Sequence, residues 1–219
     1  MKIHKAGYSI ILVAFLLFSS LIALLVYTNA RAIVFYPLLT FFILLFAFVI
    51  RFFRKPKRNI QFNEKEVFAP ADGTIVTIEE VEETEFIKEK CIQVSIFMSV
   101  WNVHINWFPV IGKIIQLLHF DGRYMAAWLP KSSHENERSV VVIETVNSGK
   151  ILVKQIAGAL ARRIITYAKP NDACQAGQEL GFIRFGSRVD ILLPLGSTIH
   201  VNLDQKVTGG LTKIADLPK

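Results

Sequence analysis

The sequence predicts a mainly β domain, an antiparallel sandwich or partly open barrel with a few short helices, preceded by a two-helix transmembrane hairpin. Three observations predict it. Two uncharged apolar runs stand side by side near the N-terminus, Tyr8–Tyr27 and Ala32–Ile50. Past Arg58 the chain breaks into short runs rich in β-branched residues. Turn signals punctuate those runs, among them Asp72-Gly73, Asp121-Gly122, Asn147-Ser148-Gly149 and Gly209-Gly210, and helical periodicity is sparse. The division falls at a basic stretch, giving an anchor over 1–58 and a domain over 59–219.

The apolar runs hold 20 and 19 residues. At about 1.5 Å per residue, either crosses about 30 Å of hydrocarbon as a helix. Only Thr28–Arg31 separates them, which makes the hairpin tight. Ala30-Arg31-Ala32 has the small-residue look of a signal-peptide cleavage site. The apolar stretch is longer than a signal core, however, and a second membrane-length run follows at once, so the anchor is expected to stay. A buried soluble hairpin is disfavoured, because helices apolar on every face need a large protein around them. Lys2 and Lys5 precede the first run, and Arg51, Arg54, Lys55, Lys57 and Arg58 follow the second; the turn carries Arg31 alone. Positive residues stay on the cytoplasmic side, so both ends of the hairpin, and the domain behind it, are expected in the cytoplasm.

The 161 residues from Asn59 onward suffice for one core. Candidate strands are Gly73–Ile78, Cys91–Met98, Ser139–Thr145, Lys150–Ile156, Val189–Leu193 and Thr198–Leu203. Gly158–Ala168 is the best helix candidate and reads equally well as strand. The net charge of +7 raises the question of nucleic acid. Five of the positive charges lie between Arg51 and Arg58, beside a membrane-length run, where they suit anionic lipid headgroups better. No nucleic-acid-binding motif is present. Cys91 and Cys174 need not pair in a reducing compartment. The histidines His4, His104, His119, His134 and His200 show no metal-ligand spacing, so no metal is expected.

Three segments have residue types suited to chemistry. In Asn102-Val103-His104-Ile105-Asn106, alternation places Asn102, His104 and Asn106 on one face, which is either a solvent face or a functional stripe. Asp72 lies in Pro70-Ala71-Asp72-Gly73, a good turn sequence in which an Asp side chain often does no more than bond its own backbone. Lys131–Arg138 is dense in charge and reads as a solvated loop or as the wall of a polar site.

Four motifs in order, Ala69-Pro70-Ala71-Asp72-Gly73, Phe97-Met98-Ser99 with Asn102–Asn106, Lys131–Arg138 and Phe185-Gly186-Ser187-Arg188-Val189-Asp190, closely resemble the short, membrane-bound bacterial phosphatidylserine decarboxylases. The resemblance runs from about Phe53 to about Gly209. It implies a proenzyme that cuts itself between Gly186 and Ser187 into chains 1–186 and 187–219, which stay associated. Ser187 then becomes a pyruvoyl cofactor, the electron sink as CO2 leaves phosphatidylserine and phosphatidylethanolamine forms. The same resemblance gives His104 a catalytic role and Asp72 the support of that histidine. It makes Lys131, Glu135, Asn136, Glu137 and Arg138 candidates for substrate binding, and it sets the domain on the cytoplasmic face of a bacterial inner membrane.

Two features depart from the family pattern. Leu195-Gly196-Ser197-Thr198 spells the cleavage motif of the long-form decarboxylases; Ser187 is preferred because Phe185–Asp190 matches the short form and its spacing to the C-terminus, and Leu195–Thr198 is expected to be a turn. Long forms also carry two histidines three apart where this chain has His104 and Trp107, which leaves open whether His104 acts in self-cleavage, in turnover or in both. Two alternatives remain. One is a non-catalytic membrane-anchored adaptor, suggested by the likeness of Ala69–Val76 and Gly177–Ile183 to carrier-type domains. The other is a decarboxylase of a related phosphoserine-type lipid such as an archaetidylserine.

Overall fold

The computed structural model describes residues 2–58, 63–123, 125, 135–146, 148–158, 163–184 and 187–218. It divides into two compact units, Met1–Lys57 and Arg58–Lys219. In the first, strand β1 (Lys2–Ile3) and a 3-10 turn at Lys5–Gly7 lead into helix α1 (Tyr8–Tyr27), followed by α2 (Ala32–Phe52) and β2 (Arg54–Lys55). Helix α1 has the expected bounds, and α2 runs two residues past them. The Thr28 hydroxyl donates to Leu24 O at 2.9 Å, satisfying a carbonyl at the end of α1. Phe18 stacks on Phe42 across the hairpin, ring centroids 5.4 Å apart. Antiparallel pairing of β1 with β2 sets Lys2 opposite Lys55, so the basic residues before and after the helices lie at one end. Both helices are long and apolar enough to cross a membrane, and the protein buries none of either apolar window.

The second unit is almost wholly strand: β3 (Glu66–Phe68), β4 (Gly73–Glu83), β5 (Glu89–Met98), β6 (Ile105–Trp107), β7 (Gly112–Phe120), β8 (Arg138–Glu144), β9 (Lys150–Ala157), β10 (Ile164–Thr166), β11 (Ala173–Cys174), β12 (Glu179–Ile183), β13 (Ser187–Pro194), β14 (Thr198–Ile199), β15 (Lys206–Val207) and β16 (Lys213–Asp216). Of the two readings open for Gly158–Ala168, the described part takes strand, as β10. Eight strands form one curled half-barrel sheet in the order β11-β7-β8-β9-β13-β5-β4-β15, and two three-stranded sheets, β10-β12-β6 and β14-β16-β3, complete the unit. All the strand pairings are antiparallel.

Strand β13 lies near the centre of the large sheet and is buried from Ser187 to Leu193. Alternation sorts its side chains. Val189, Ile191 and Leu193 join the main core with Val94, Ile96 and Met98 of β5 and Ile151 and Val153 of β9. Leu192 joins a smaller cluster with Ile87, Val140 and Leu152 on the other face. Arg188 and Asp190, on that same face, form a buried two-pronged ion pair at 2.8 and 3.0 Å. They line a cleft of about 480 Å³ with Lys154, Glu83 and Gln93.

Candidate active site

Ser187 opens β13 with no exposed surface, registered between Met98 on β5 and Ala157 on β9. By parity it belongs to the core face, and its hydroxyl donates to Met98 Sδ at 3.3 Å. Met98 Sδ also receives Asn106 Nδ2 at 3.6 Å. Behind Asn106 the polar contacts continue. Gln155 Nε2 donates to Asn106 Oδ1 at 2.7 Å, and Thr166 Oγ1 lies 2.9 Å from Gln155 Oε1 and 2.9 Å from Ser139 Oγ.

His104 lies immediately before β6 and is wholly buried, as is Asn106. The solvent-face reading of that stripe is therefore excluded: Ile105 and Trp107 are buried too, so both faces of the segment are interior. His104 O accepts the Ile183 amide at 3.1 Å, at the end of the strand that leads toward Ser187. Its Nδ1 lies 3.0 Å from Asn102 O. A carbonyl only accepts, so Nδ1 bears the hydrogen in this contact, the tautomer in which a neutral ring carries its lone pair on Nε2. Asn102 is itself fixed, its Oδ1 accepting from the Ser99 amide at 2.9 Å and the Ser99 hydroxyl at 2.8 Å.

Asp72 occupies the turn before β4, and its carboxylate bonds run to Arg58 and Gly209. Oδ1 accepts the Gly209 amide at 2.8 Å, and Arg58 Nη2 lies 2.7 and 2.9 Å from the two oxygens. Arg58 also donates to the Gly209 carbonyl and stacks 4.0 Å from the centre of the Trp107 ring. Gly209 must be glycine here, because a Cβ would come within 2.5 Å of that ring. The Arg58 side chain is only 7% exposed, so this member of the basic stretch is engaged inside the domain instead of facing lipid. Asp72 thus reaches the His104 segment through Arg58 and Trp107, three residues along the chain.

A sequence model of the phosphatidylserine decarboxylase family matches residues 45–215. Among curated relatives, the phosphatidylserine decarboxylase proenzymes of Parabacteroides distasonis and Porphyromonas gingivalis are 51% and 50% identical, each over the full length of both chains. That of Cytophaga hutchinsonii is 45% identical over 99% of each. The chain belongs to the phosphatidylserine decarboxylase family. Its length matches those relatives, which places it with the short bacterial type.

The decarboxylase motif around Glu135–Arg138 is built into the scaffold. Asn136 is fully buried; its carboxamide accepts the Met125 amide at 2.9 Å and donates to Met125 O at 2.8 Å and Ala157 O at 2.7 Å. Glu137 accepts the Ile164 amide at 3.0 Å, and its carbonyl takes the Ala157 amide at 2.9 Å. Both residues therefore fasten Ala157, the neighbour of Ser187. Arg138 packs over the Phe120 ring at 4.3 Å, and Glu135 pairs with Arg123 at 3.3 Å. Lys131 and Gly186 lie outside the described residues.

Ser197 sits in the turn after β13, as expected, with Gly196 at φ +85° and the hydroxyl donating to Pro194 O at 2.8 Å. Cys91 and Cys174 are separate buried thiols; burial pushes both up to about 11, leaving them protonated at neutral pH. Sequence reading gave Arg58 to lipid headgroups, and it missed Gln155 and the partners of Asn106. A signal existed for Gln155: alternation along Lys150–Ile156 sets it on the same face as Ile151 and Val153, and a polar residue on a core face calls for partners.

Proposed function

We propose that this carboxy-lyase, which its family assigns to the decarboxylation of phosphatidylserine, is made as one chain and matures by cutting its own Gly186–Ser187 bond. The observation that carries this reading is the state of Ser187, a fully buried serine on a central strand whose hydroxyl rests on a thioether. Sulfur is a weak acceptor, so the hydroxyl leaves it at little cost.

The cleavage chemistry needs only the chain's own groups and one water, and releases one ammonia. Ser187 Oγ adds to the Gly186 carbonyl carbon and gives its proton to a base, for which His104 Nε2 is the candidate. The proton passes to the departing amide nitrogen, the C–N bond breaks, and an ester joins Gly186 to Oγ. Loss of the Ser187 Cα proton then breaks the Cβ–Oγ bond and frees chain 1–186 as a carboxylate. Water enters the remaining dehydroalanine, ammonia leaves, and a pyruvoyl group heads chain 187–219. The surroundings fit it, since the former Ser187 side chain ends as a methyl group at the position registered with Met98 and Ala157. Bound there, that ketone supplies the electron sink for decarboxylation. Arg58, Asp72 and Trp107 hold the segment that carries His104. Asn136 and Glu137 hold Ala157.

The hairpin anchors the domain to the bacterial inner membrane with both ends in the cytoplasm. Arg51, Arg54, Lys55 and Lys57 meet anionic headgroups there, each contributing about 1 kcal/mol. Intact-mass measurement of the purified protein tests the reading. Two polypeptides, 1–186 and a 33-residue 187–219 that resists Edman sequencing, are expected. A single uncut chain with full activity would overturn it.

A further inference from the structure

The hydrogen-bond chain behind Ser187 has a direction, and one atom sets it. Met98 Sδ has no hydrogen to give, so both groups that touch it must donate. Asn106 therefore turns its NH2 to the sulfur and its Oδ1 away, toward Gln155. Gln155 must offer its NH2 to that oxygen, which points its own Oε1 at Thr166. Thr166 has one hydroxyl hydrogen, and Gln155 Oε1 takes it, so Ser139 must donate to Thr166. The order Ser139 to Thr166 to Gln155 to Asn106 to Met98 is thereby fixed without freedom for any amide to flip.

The backbone accommodates this chain on purpose-built rows. Ser139 pairs with Gln155 across β8 and β9 of the large sheet. Thr166 and Asn106 flank Gly181 across β10, β12 and β6 of the small one. The Gln155 amide passes over Gly181, where a Cβ would stand 2.9 Å from Nε2 and collide with the Ile165 carbonyl. Ser139, Gln155 and Asn106 are fully buried, so each lost partner would leave a polar group stranded in the core.

We propose that Asn106 is a positioning residue for self-cleavage: through the directed chain behind it, it holds the Met98 sulfur where the Ser187 hydroxyl rests, keeping that hydroxyl on a weak acceptor and ready for transfer. Without the Asn106 donor the thioether is free to rotate, and Ser187 turns to a stronger acceptor that ties its proton up. The inference rests on Ser187 being the cleaved residue. It also makes a sharp distinction in time. The Ser187 oxygen departs with chain 1–186, so a residue that serves that hydroxyl matters before the cut and much less after it.

The test follows conversion of newly made full-length protein in membranes by gel, and then phosphatidylserine turnover per cleaved chain in detergent micelles. Asn106→Ala and Met98→Leu should each slow cleavage by about tenfold, the kinetic equivalent of one buried hydrogen bond. In each variant, turnover per cleaved chain should fall by less than the cleavage rate does. A merely structural residue would lower both together, and that result would overturn the proposal, as would cleavage at the wild-type rate. Met98→Leu nearly conserves volume, so it decides the matter if Asn106→Ala fails to accumulate. Wild type left uncut, or Ser187→Ala still cut, would instead show that the cleavage assignment itself is wrong.

Discussion

Two glycine–serine pairs flank the same strand, and their serines live in opposite conditions. Ser187 begins β13, has no exposed surface and donates to a sulfur at 3.3 Å. Ser197 follows the strand's other end in a tight turn, donating to the Pro194 carbonyl at 2.8 Å. The Pro194 oxygen is a strong acceptor, and its bond contributes about 1 kcal/mol that any nucleophilic role would first have to undo. Motif spelling alone favours neither pair. Both serines are buried, so acceptor strength separates them, one serine poised and the other satisfied.

The largest expected effect breaks this contrast or secures it. Ser187→Ala should abolish cleavage and activity, because alanine has neither the nucleophile nor the leaving oxygen; Ser197→Ala should process normally. Gel electrophoresis reads both, and the reverse pattern would move the downstream chain's start to Ser197. Next, His104→Ala should slow cleavage, turnover or both by about 10²–10⁴-fold, the range for loss of a general base. Near-normal rates in pulse-chase and lipid assays would leave Ser187 without its proposed acceptor.

Arg58→Ala tests whether surroundings beyond the serine matter. It strands the Asp72 carboxylate in a largely buried place and removes the stack on Trp107, and should destabilise the domain by about 3 kcal/mol, read by thermal melting. An unchanged melting temperature would mean that solvent replaces the ion pair freely. The smallest effect lies on the far face of β13. Burial tends to raise the Glu83 pKa, but the Ile87, Phe86 and Lys88 amides and Lys154 outweigh it, holding the carboxyl below its usual 4.5. A depressed folded pKa stabilises above the unfolded value, and that contribution is lost as pH falls below about 4.5 through the folded one. Glu83→Gln should therefore flatten the acid limb of a melting-temperature profile while cleavage stays unchanged. Slower cleavage in that variant would show that the two faces of β13 are coupled.

How much of this was legible in the sequence depended on range. The helical hairpin was, because each uncharged run is long enough for one membrane-length helix and only four residues separate the two. Strands such as β5, β8 and β9, whose β-branched runs are bounded by turn or charged residues, were also found. Strand β7 was not, because a bulge between Ile114 and Gln116 breaks its period and gives Ile114, Ile115, Leu117 and Leu118 a helical spacing. The stripe through His104 and Asn106 was visible, but a polar row on a core face has the same letters as one facing water. Its meaning lies in Gln155, 49 residues from Asn106. Arg58 was misjudged for the same reason. Its neighbours in sequence are bases beside a membrane-length run, and its partners in space are Asp72 and Gly209.

The pairing of β13 on both sides has one more consequence, for the order of the folding reaction. Eight of its residues register with β5 and six with β9. The later strands β15 and β16 tie the same C-terminal stretch to β4 and β3. Uncut, the chain inserts β13 as an event within one molecule, at a rate independent of protein concentration. Once the bond before Ser187 is gone, the same insertion is an encounter between two molecules. Dilution then opposes it, and the melting temperature becomes concentration-dependent. Ser187→Ala should refold from denaturant at nanomolar concentration, whereas the matured enzyme, once its short chain has drifted away, should not.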